Sequence, residues 1–232
     1  MQQTLAKLNI IGVGPGSPDY VTPAAQKTVQ NAQLVIGAQR SLNLLTSNIN
    51  GETIVLTAKN IGCALKSAAE TVAKGKEVAL LSTGDPGFSG LLRTVLESRL
   101  FADKEINVIP GISSVQACAA KLALSWDSAL LITFHEGNVS DDEKEVLDFA
   151  VSSGEDVIVI PDPKAFTPKD IAVYLLNEGR DKETPAYICE NLTLSDEKIT
   201  LSNLAEVSKL TFGSLCVMVI KANLEEKKAS GL

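Results

Sequence analysis

The sequence is poor in metal-binding side chains. It has one histidine, His135, and four scattered cysteines, Cys63, Cys118, Cys189 and Cys216, in 232 residues. No CxxC pair is present and a lone imidazole cannot complete a Cys–His set, so no metal site is expected. Each cysteine stands among apolar residues, and all four are expected to be plain buried thiols. Basic runs are also missing. Lys and Arg number 21 against 28 Asp and Glu, for a formal net charge of −7, which leaves no basic stripe to meet a phosphate backbone. Nucleic acid is therefore not expected as a partner. No apolar stretch approaches the roughly 20 residues of a membrane helix, so no membrane partner is expected. The opening MQQTLAKLNIIGVGPG runs into a short strand without a signal-peptide cleavage pattern. The chain reads as cytoplasmic.

The chain does have apolar content. Hydrophobic residues make up 45% and charged residues 21%, enough for a large core in one large domain or two ordinary ones. Short Leu-rich or β-branched runs alternate with helical segments, the pattern of a mostly parallel α/β protein. The expected strands are Leu8–Val13, Gln33–Ile36, Thr53–Leu56, Val78–Ser82 and Ile106–Ile109. Between them, helices are expected from Thr22-Pro23 to Asn31 and over Ile61–Lys74, Phe88–Arg99 and Ser113–Leu122. After Ser125 the pattern changes. Strands over Ala129–Phe134 and Asp156–Ile160 lead into helices announced by Ser140-Asp141-Asp142-Glu143 and Thr167-Pro168-Lys169-Asp170. Three further strands, Ala186–Glu190, Lys198–Leu201 and Leu215–Lys221, share one short helix, Leu204–Leu210. This suggests an α/β lobe over residues 1–124, a more antiparallel α/β lobe over 125–222, and a frayed charged tail over 223–232.

Three glycine loops follow strands. Gly12-Val13-Gly14-Pro15-Gly16 fails as a dinucleotide fingerprint. Ser17 stands where the third glycine belongs, and the second strand ends at Gly37-Ala38 without the acidic residue that would hold a ribose. NAD is disfavoured, and a tight turn with positive φ at its glycines explains this loop equally well. Ser82-Thr83-Gly84-Asp85-Pro86-Gly87-Phe88-Ser89-Gly90 lies at the carboxyl end of the fourth strand, where open α/β sheets bind ligands. There Gly84 and Gly87 permit close backbone approach and Asp85 supplies a carboxylate, or the three residues simply form an Asp-Pro-Gly turn. Ile109-Pro110-Gly111-Ile112-Ser113-Ser114 sets two hydroxyls at a helix start, as ligand contacts or as an N-cap. No Walker sequence is present, since Gly75-Lys76 is followed by Glu77.

The ordered set GVGPG, STGDPGFSG and PGISS resembles the tetrapyrrole methylase family of S-adenosylmethionine-dependent methyltransferases, and the ICENLTLSDE segment extends the likeness over nearly the whole chain. The resemblance implies a two-lobed fold with a parallel-sheet N-terminal lobe, a mixed-sheet C-terminal lobe and the ligand cleft between them. IGVGPGSPDYVTPAA, IGAQRSL and ICENLTLSDEKI are most similar to members that methylate carbon 5 of a (cobalt-)precorrin-6B-type corrin precursor in cobalamin biosynthesis. Methylation of a different ring carbon, or non-catalytic binding of an adenosyl ligand, are the alternatives. Carried over by position, S-adenosylmethionine contacts fall on Pro15, Gly84, Asp85, Phe88, Ser113 and Ser114, and on Pro161, Asn191, Leu192 and Leu215. A homodimer is implied, with a separate decarboxylating precorrin methyltransferase as a further partner.

The reaction itself asks mainly for positioning and desolvation, because the ring carbon is already nucleophilic and the sulfonium methyl already activated. A proton must still be accepted, by a side chain or by the macrocycle. His135, after the first strand of the second lobe, is the candidate catalytic residue, or else a structural histidine at a strand end. Related segments read His-Gly-Arg at this place, whereas here Glu136 intervenes and Asn138 replaces the arginine. Arg40, Lys59, Arg93 and Lys164 are candidates to meet the carboxylates of the corrin precursor. Asp162 is either an acid at the site or a turn former.

Overall fold

Burial on both faces of one sheet explains the near-continuous apolar runs in the first half of the chain. The computed structural model describes residues 6–134 and 139–222, and the chain divides into two compact units, Met1–Ser114 and Val115–Leu232. In the first unit, β1 (Leu8–Gly12), β2 (Leu34–Gly37), β3 (Glu52–Val55), β4 (Val78–Ser82) and β5 (Ile106–Ile109) form a sheet in the order β3-β2-β4-β1-β5. Every pairing in it is parallel. Helices α1 (Pro23–Asn31), α2 (Gln39–Leu44), α3 (Ile61–Ala73) and α4 (Leu92–Ser98) complete the unit. Leu8 and Ile10 of β1 pack with Ala64, Leu65, Ala68 and Val72 of α3 and Val95 of α4. Their alternates, Ile11 and Val13, pack with Ala25 and Val29 of α1. The period-two alternation of a strand thus serves two cores.

Strand order places the glycine loops. The loops after β4, β1 and β5 leave three neighbouring strands at their carboxyl ends. Chain connections run from β1 toward β2 and from β4 toward β5, in opposite directions along the sheet, which is the switch-point arrangement of open α/β sheets. At the other end of β1, the buried Asn9 spans its neighbours. Its Nδ2 donates to Glu77 Oε2 (2.8 Å) and to the Val78 carbonyl (3.2 Å), and its Oδ1 accepts from Asn107 Nδ2 (2.8 Å).

The second unit contains α5 (Ser114–Lys121, begun by the last residue of the first unit), β6 (Leu130–Thr133), α6 (Asp141–Ser152), β7 (Val157–Ile160), α7 (Pro168–Asn177), β8 (Pro185–Glu190), β9 (Lys198–Asn203), α8 (Leu204–Val207) and β10 (Cys216–Ile220). Its sheet runs β6-β7-β10-β8-β9, with β6 and β7 parallel and the remaining pairs antiparallel. Leu147, Val157, Val159, Ile171, Leu175, Ile188, Met218 and neighbours form its core. The capping box expected at Ser140 closes, and the Thr-Pro opening at Thr167 proves to be a second one. Ser140 Oγ accepts from the Glu143 N–H (3.3 Å) while Glu143 Oε2 accepts from the Ser140 N–H (2.8 Å), and Thr167 and Asp170 repeat the exchange.

Three expectations need correction. The helix expected from Phe88 begins only at Leu92, because residues 86–91 are spent on a turn. Ser89 has φ +52, the Leu91 N–H donates to Ser82 Oγ (3.2 Å), and the Leu92 N–H reaches the Pro86 carbonyl (3.1 Å). The helix expected to Leu210 ends at Val207, with Lys209 and Leu210 donating to carbonyls three residues back. Cys63 is exposed. The buried stripe of α3 runs through Ala64, Leu65, Ala68 and Val72, and Cys63 falls on the opposite side. Cys118 and Cys189 are buried, with their sulfurs 3.5 Å apart, and Cys216 is half-buried. The charged tail after residue 222 lies outside the described residues.

The three glycine loops meet backbone to backbone. Gly14 and Gly84 form an isolated bridge, with the Gly84 N–H donating to the Gly14 carbonyl (2.9 Å). A Cβ on Gly111 would lie 2.6 Å from Gly12 Cα, and one on Gly12 would lie 2.6 Å from the Gly84 carbonyl oxygen. Gly111→Ala should therefore cost about 3 kcal/mol or more, since main chain rather than a flexible side chain must give way. The control Gly62→Ala, in α3 with nothing within 4 Å of the added carbon, should stabilise by about 0.4–1 kcal/mol. Urea denaturation of the two variants checks both values. Thr167→Ala should lower stability by about 1 kcal/mol through loss of the α7 cap, read the same way.

Candidate functional site

In the first unit, Asp85 joins two of the loops. Its Oδ1 accepts from the Gly87 N–H (2.8 Å), which closes its own turn, and its Oδ2 accepts from the Gly111 N–H (3.1 Å) of the loop after β5. A carboxylate has about four acceptor positions, so these bonds orient Asp85 and leave capacity for a ligand. Gly84 has φ +67, and the position of a Cβ on it lies 3.7 Å from Ser113 Cα. Through these contacts Gly84, Asp85 and Ser113 form one cluster, to which the Gly14–Gly84 bridge brings the first loop and its buried Pro15. Ser113 is buried; Ser114, half-buried, begins α5. Phe88 is half-buried in the turn, its N–H directed to the Asp85 carbonyl (3.4 Å).

Arg40 is half-buried in α2, and its Nη2 donates to Thr83 Oγ1 (3.3 Å), next to Gly84. Lys59, Arg93 and Lys164 are exposed. Asp162 is a turn former. It is buried, and its Oδ1 accepts from the N–H groups of Lys164 (2.8 Å) and Ala165 (2.6 Å). His135 lies outside the described residues. Among the described residues, no group of His, Cys, Asp and Glu is arranged to hold a metal, and no helix is long and apolar enough to cross a membrane.

In the second unit, the turn after β8 carries Asn191 and Leu192. The Asn191 N–H donates to the carbonyl of Leu215 (2.9 Å), so these two candidates are adjacent. Pro161 follows β7. Continuing the β7–β10 register, in which Val159 faces Met218, puts Pro161 level with Cys216. Asn191 has φ +50 and Thr193 φ +67. Asparagine tolerates this region, but for a β-branched threonine it is an outlier, held at a cost of about 1–3 kcal/mol. Between them Leu192 is 5% exposed, and among the described residues neither its N–H nor its carbonyl has a hydrogen-bond partner.

Carboxylates brace both strand ends around this turn, and these are residues that sequence reasoning missed. Glu190, at the end of β8, is 8% exposed. Its Oε1 accepts from the Gly213 N–H (2.7 Å), while its buried Oε2 has no hydrogen-bond partner and stands 3.6 Å from Lys198 Nζ. Burial, then the charge of Glu190, pushes the Cys216 thiol up to about 12. Cys118 and Cys189 share a sulfur contact. It raises the pKa of Cys118, with help from burial, and lowers that of Cys189, so that Cys118 keeps its proton. Glu197 accepts from the Thr193 N–H through Oε2 (2.7 Å) and pairs with Lys121 Nζ through Oε1 (2.7 Å). The Lys121 bond first, then that of Thr193, holds the Glu197 carboxyl below its ordinary value. The sequence signal available for these roles was the acidic pair Asp196-Glu197 directly after a turn segment.

The family model for tetrapyrrole (corrin/porphyrin) methylases matches residues 7–208. A probable cobalt-precorrin-7 C(5)-methyltransferase from Methanocaldococcus jannaschii is 39% identical over 218 residues, which cover 93% of this chain and 98% of that protein. Among solved structures, a cobalt precorrin-4 methyltransferase of cobalamin biosynthesis superposes with a TM-score of 0.80 at 21% identity, covering 95% of this chain and 97% of the other. A uroporphyrin-III C-methyl transferase from Thermus thermophilus, complexed with S-adenyl homocysteine, gives 0.74 at 20% identity, covering 97% of this chain and all of that one (100%). With a parallel five-stranded sheet, a mixed second sheet and a family match over most of its length, the chain belongs to the tetrapyrrole (corrin/porphyrin) methylases.

Proposed function

We propose that the chain transfers the methyl group of S-adenosylmethionine to carbon 5 of a (cobalt-)precorrin-6B-type corrin precursor in cobalamin biosynthesis. The observation that carries the choice of carbon is the 39% identity, over nearly the full length of both chains, to the archaeal protein of that name. Pro15, Gly84, Asp85, Phe88, Ser113 and Ser114 of the first unit, and Pro161, Asn191, Leu192 and Leu215 of the second, hold the methyl donor. Their chemistry fits it. Asp85 supplies acceptors for hydroxyl or ammonium groups, Ser113 and Ser114 supply hydroxyls, and Pro15, Phe88 and Leu192 supply apolar surface. The N–H and carbonyl of Leu192, which have no partner among the described residues, match the adjacent acceptor and donor of an adenine edge.

S-adenosylmethionine, when bound, supplies an electrophilic sulfonium methyl. The residues position the donor and exclude water, and no strong base is needed where the acceptor carbon is already nucleophilic. His135 takes the proton released by the ring. Arg40, next to Thr83, meets a carboxylate of the corrin precursor as a charge-assisted partner. The same reading makes the enzyme a cytoplasmic homodimer.

Titration calorimetry with S-adenosylhomocysteine, with NAD as control, tests the donor site. Binding of the homocysteine compound alone is expected, at about micromolar Kd. Asp85→Ala should weaken it by about 1–3 kcal/mol, because the carboxylate and the loop it joins are lost together. Transfer of a labelled methyl group to a cobalt-precorrin-6B acceptor, followed by NMR of the product, tests the carbon. Label at carbon 5 is expected, and label at any other ring position would overturn the assignment.

A further inference from the structure

The turn after β8 is held in an unfavourable conformation, and the groups that hold it lie outside the proposed ligand contacts. Leu192 is flanked by Asn191 and Thr193, both in the left-handed region. Leu192 lies beyond the end of β8, and its N–H and carbonyl have no hydrogen-bond partner among the described residues. Two side chains just before β9 restrain the path. Asp196 Oδ2 accepts from Asn191 Nδ2 (2.8 Å). Glu197 Oε2 accepts from the Thr193 N–H (2.7 Å), and its other oxygen pairs with Lys121 Nζ (2.7 Å). Lys121 is the last residue of α5, where a cation also complements the helix carbonyls. Glu197 therefore ties the less tolerant of the two left-handed residues to the end of a helix.

We propose that Glu197 is a positioning residue for S-adenosylmethionine, acting with Lys121 to hold the 191–193 turn in the one conformation that presents the main chain of Leu192 to the nucleoside. The inference rests on the donor site proposed above. It assigns Glu197 no contact with ligand or substrate. Without the clamp, Thr193 relaxes toward an ordinary extended conformation, the Leu192 groups rotate away, and donor binding must restore the strained turn before contact is made. The loss appears in affinity for the donor more than in turnover at saturation.

Variants Glu197→Ala, Glu197→Gln and Lys121→Met are compared with Glu206→Gln, which breaks an exposed i,i+3 ion pair with Lys209 in the same unit. S-adenosylhomocysteine affinity is measured by calorimetry, KM for S-adenosylmethionine and kcat by methyl transfer, and folding by thermal melting. Glu197→Ala should raise the Kd and KM about tenfold with a smaller fall in kcat, as expected for losing a charge-assisted hydrogen bond that acts only on binding. Glu197→Gln and Lys121→Met should each raise them about threefold, since each keeps the Thr193 bond and loses the charge pair. Glu206→Gln should leave them at the wild-type value. A folded Glu197→Ala with wild-type affinity, or with kcat reduced and KM unchanged, overturns the inference. If Glu197→Ala does not fold, wild-type affinity in both Glu197→Gln and Lys121→Met overturns it. Failure of the wild-type protein to bind S-adenosylhomocysteine at all would instead sink the donor-site reading on which the inference stands.

Discussion

Close approach of three backbones is the constraint on which the first unit depends. Gly12, Gly84 and Gly111 come from the ends of β1, β4 and β5, and any Cβ at Gly12 or Gly111 would overlap main chain. Only glycine lets three neighbouring loops converge so tightly, and Asp85 then accepts from the Gly111 N–H of the third loop while closing its own turn on the Gly87 N–H. The loops are therefore a single object. A change in one is transmitted to the others through atoms that cannot yield.

The second unit solves a related problem with charge in place of glycine. Asn191 and Thr193 adopt a backbone conformation that glycine would take freely, and carboxylates at Asp196 and Glu197 supply the restraint. The choice of side chains over glycine has a physical return. A glycine turn is permissive but mobile, whereas a turn built from Asn and Thr and bolted by ionic hydrogen bonds is limited to one path. Glu190 and the Gly213 N–H repeat the device at the neighbouring loop.

Much of the architecture was legible because local and long-range preferences agree. The three inner strands β1, β2 and β4 read as apolar runs because both their faces are buried, and the caps at Ser140 and Thr167 announce α6 and α7 without ambiguity. Where reading failed, the chain was spending hydrogen bonds on something other than regular structure. Residues 88–91 fall within a segment of helical length but are bound into the turn that follows Asp85, and α2 lacks any side-chain cap. Cys63 looked buried because its neighbours are apolar, yet it lies off the buried stripe of its helix. The glycine loops were visible as motifs. That Asp85 first serves Gly111 was not, because a contact across 26 positions has no local signature. The clamp by Glu197 is hidden for the same reason, since its cation sits on α5, far back along the chain.

The buried Asn9, at the opposite end of β1, governs how accurately the loops are placed. Asn9 is hydrogen-bonded sideways to Glu77 and Val78 on one flank and to Asn107 on the other. Sliding β4 or β5 along β1 by one residue would break those bonds, reverse which face each apolar side chain meets, and shift a loop by about 3.3 Å relative to its neighbours. The Asn9 ladder thus works as an alignment pin. Set at the amino ends of the strands, it fixes to within a fraction of a residue where their carboxyl ends stop.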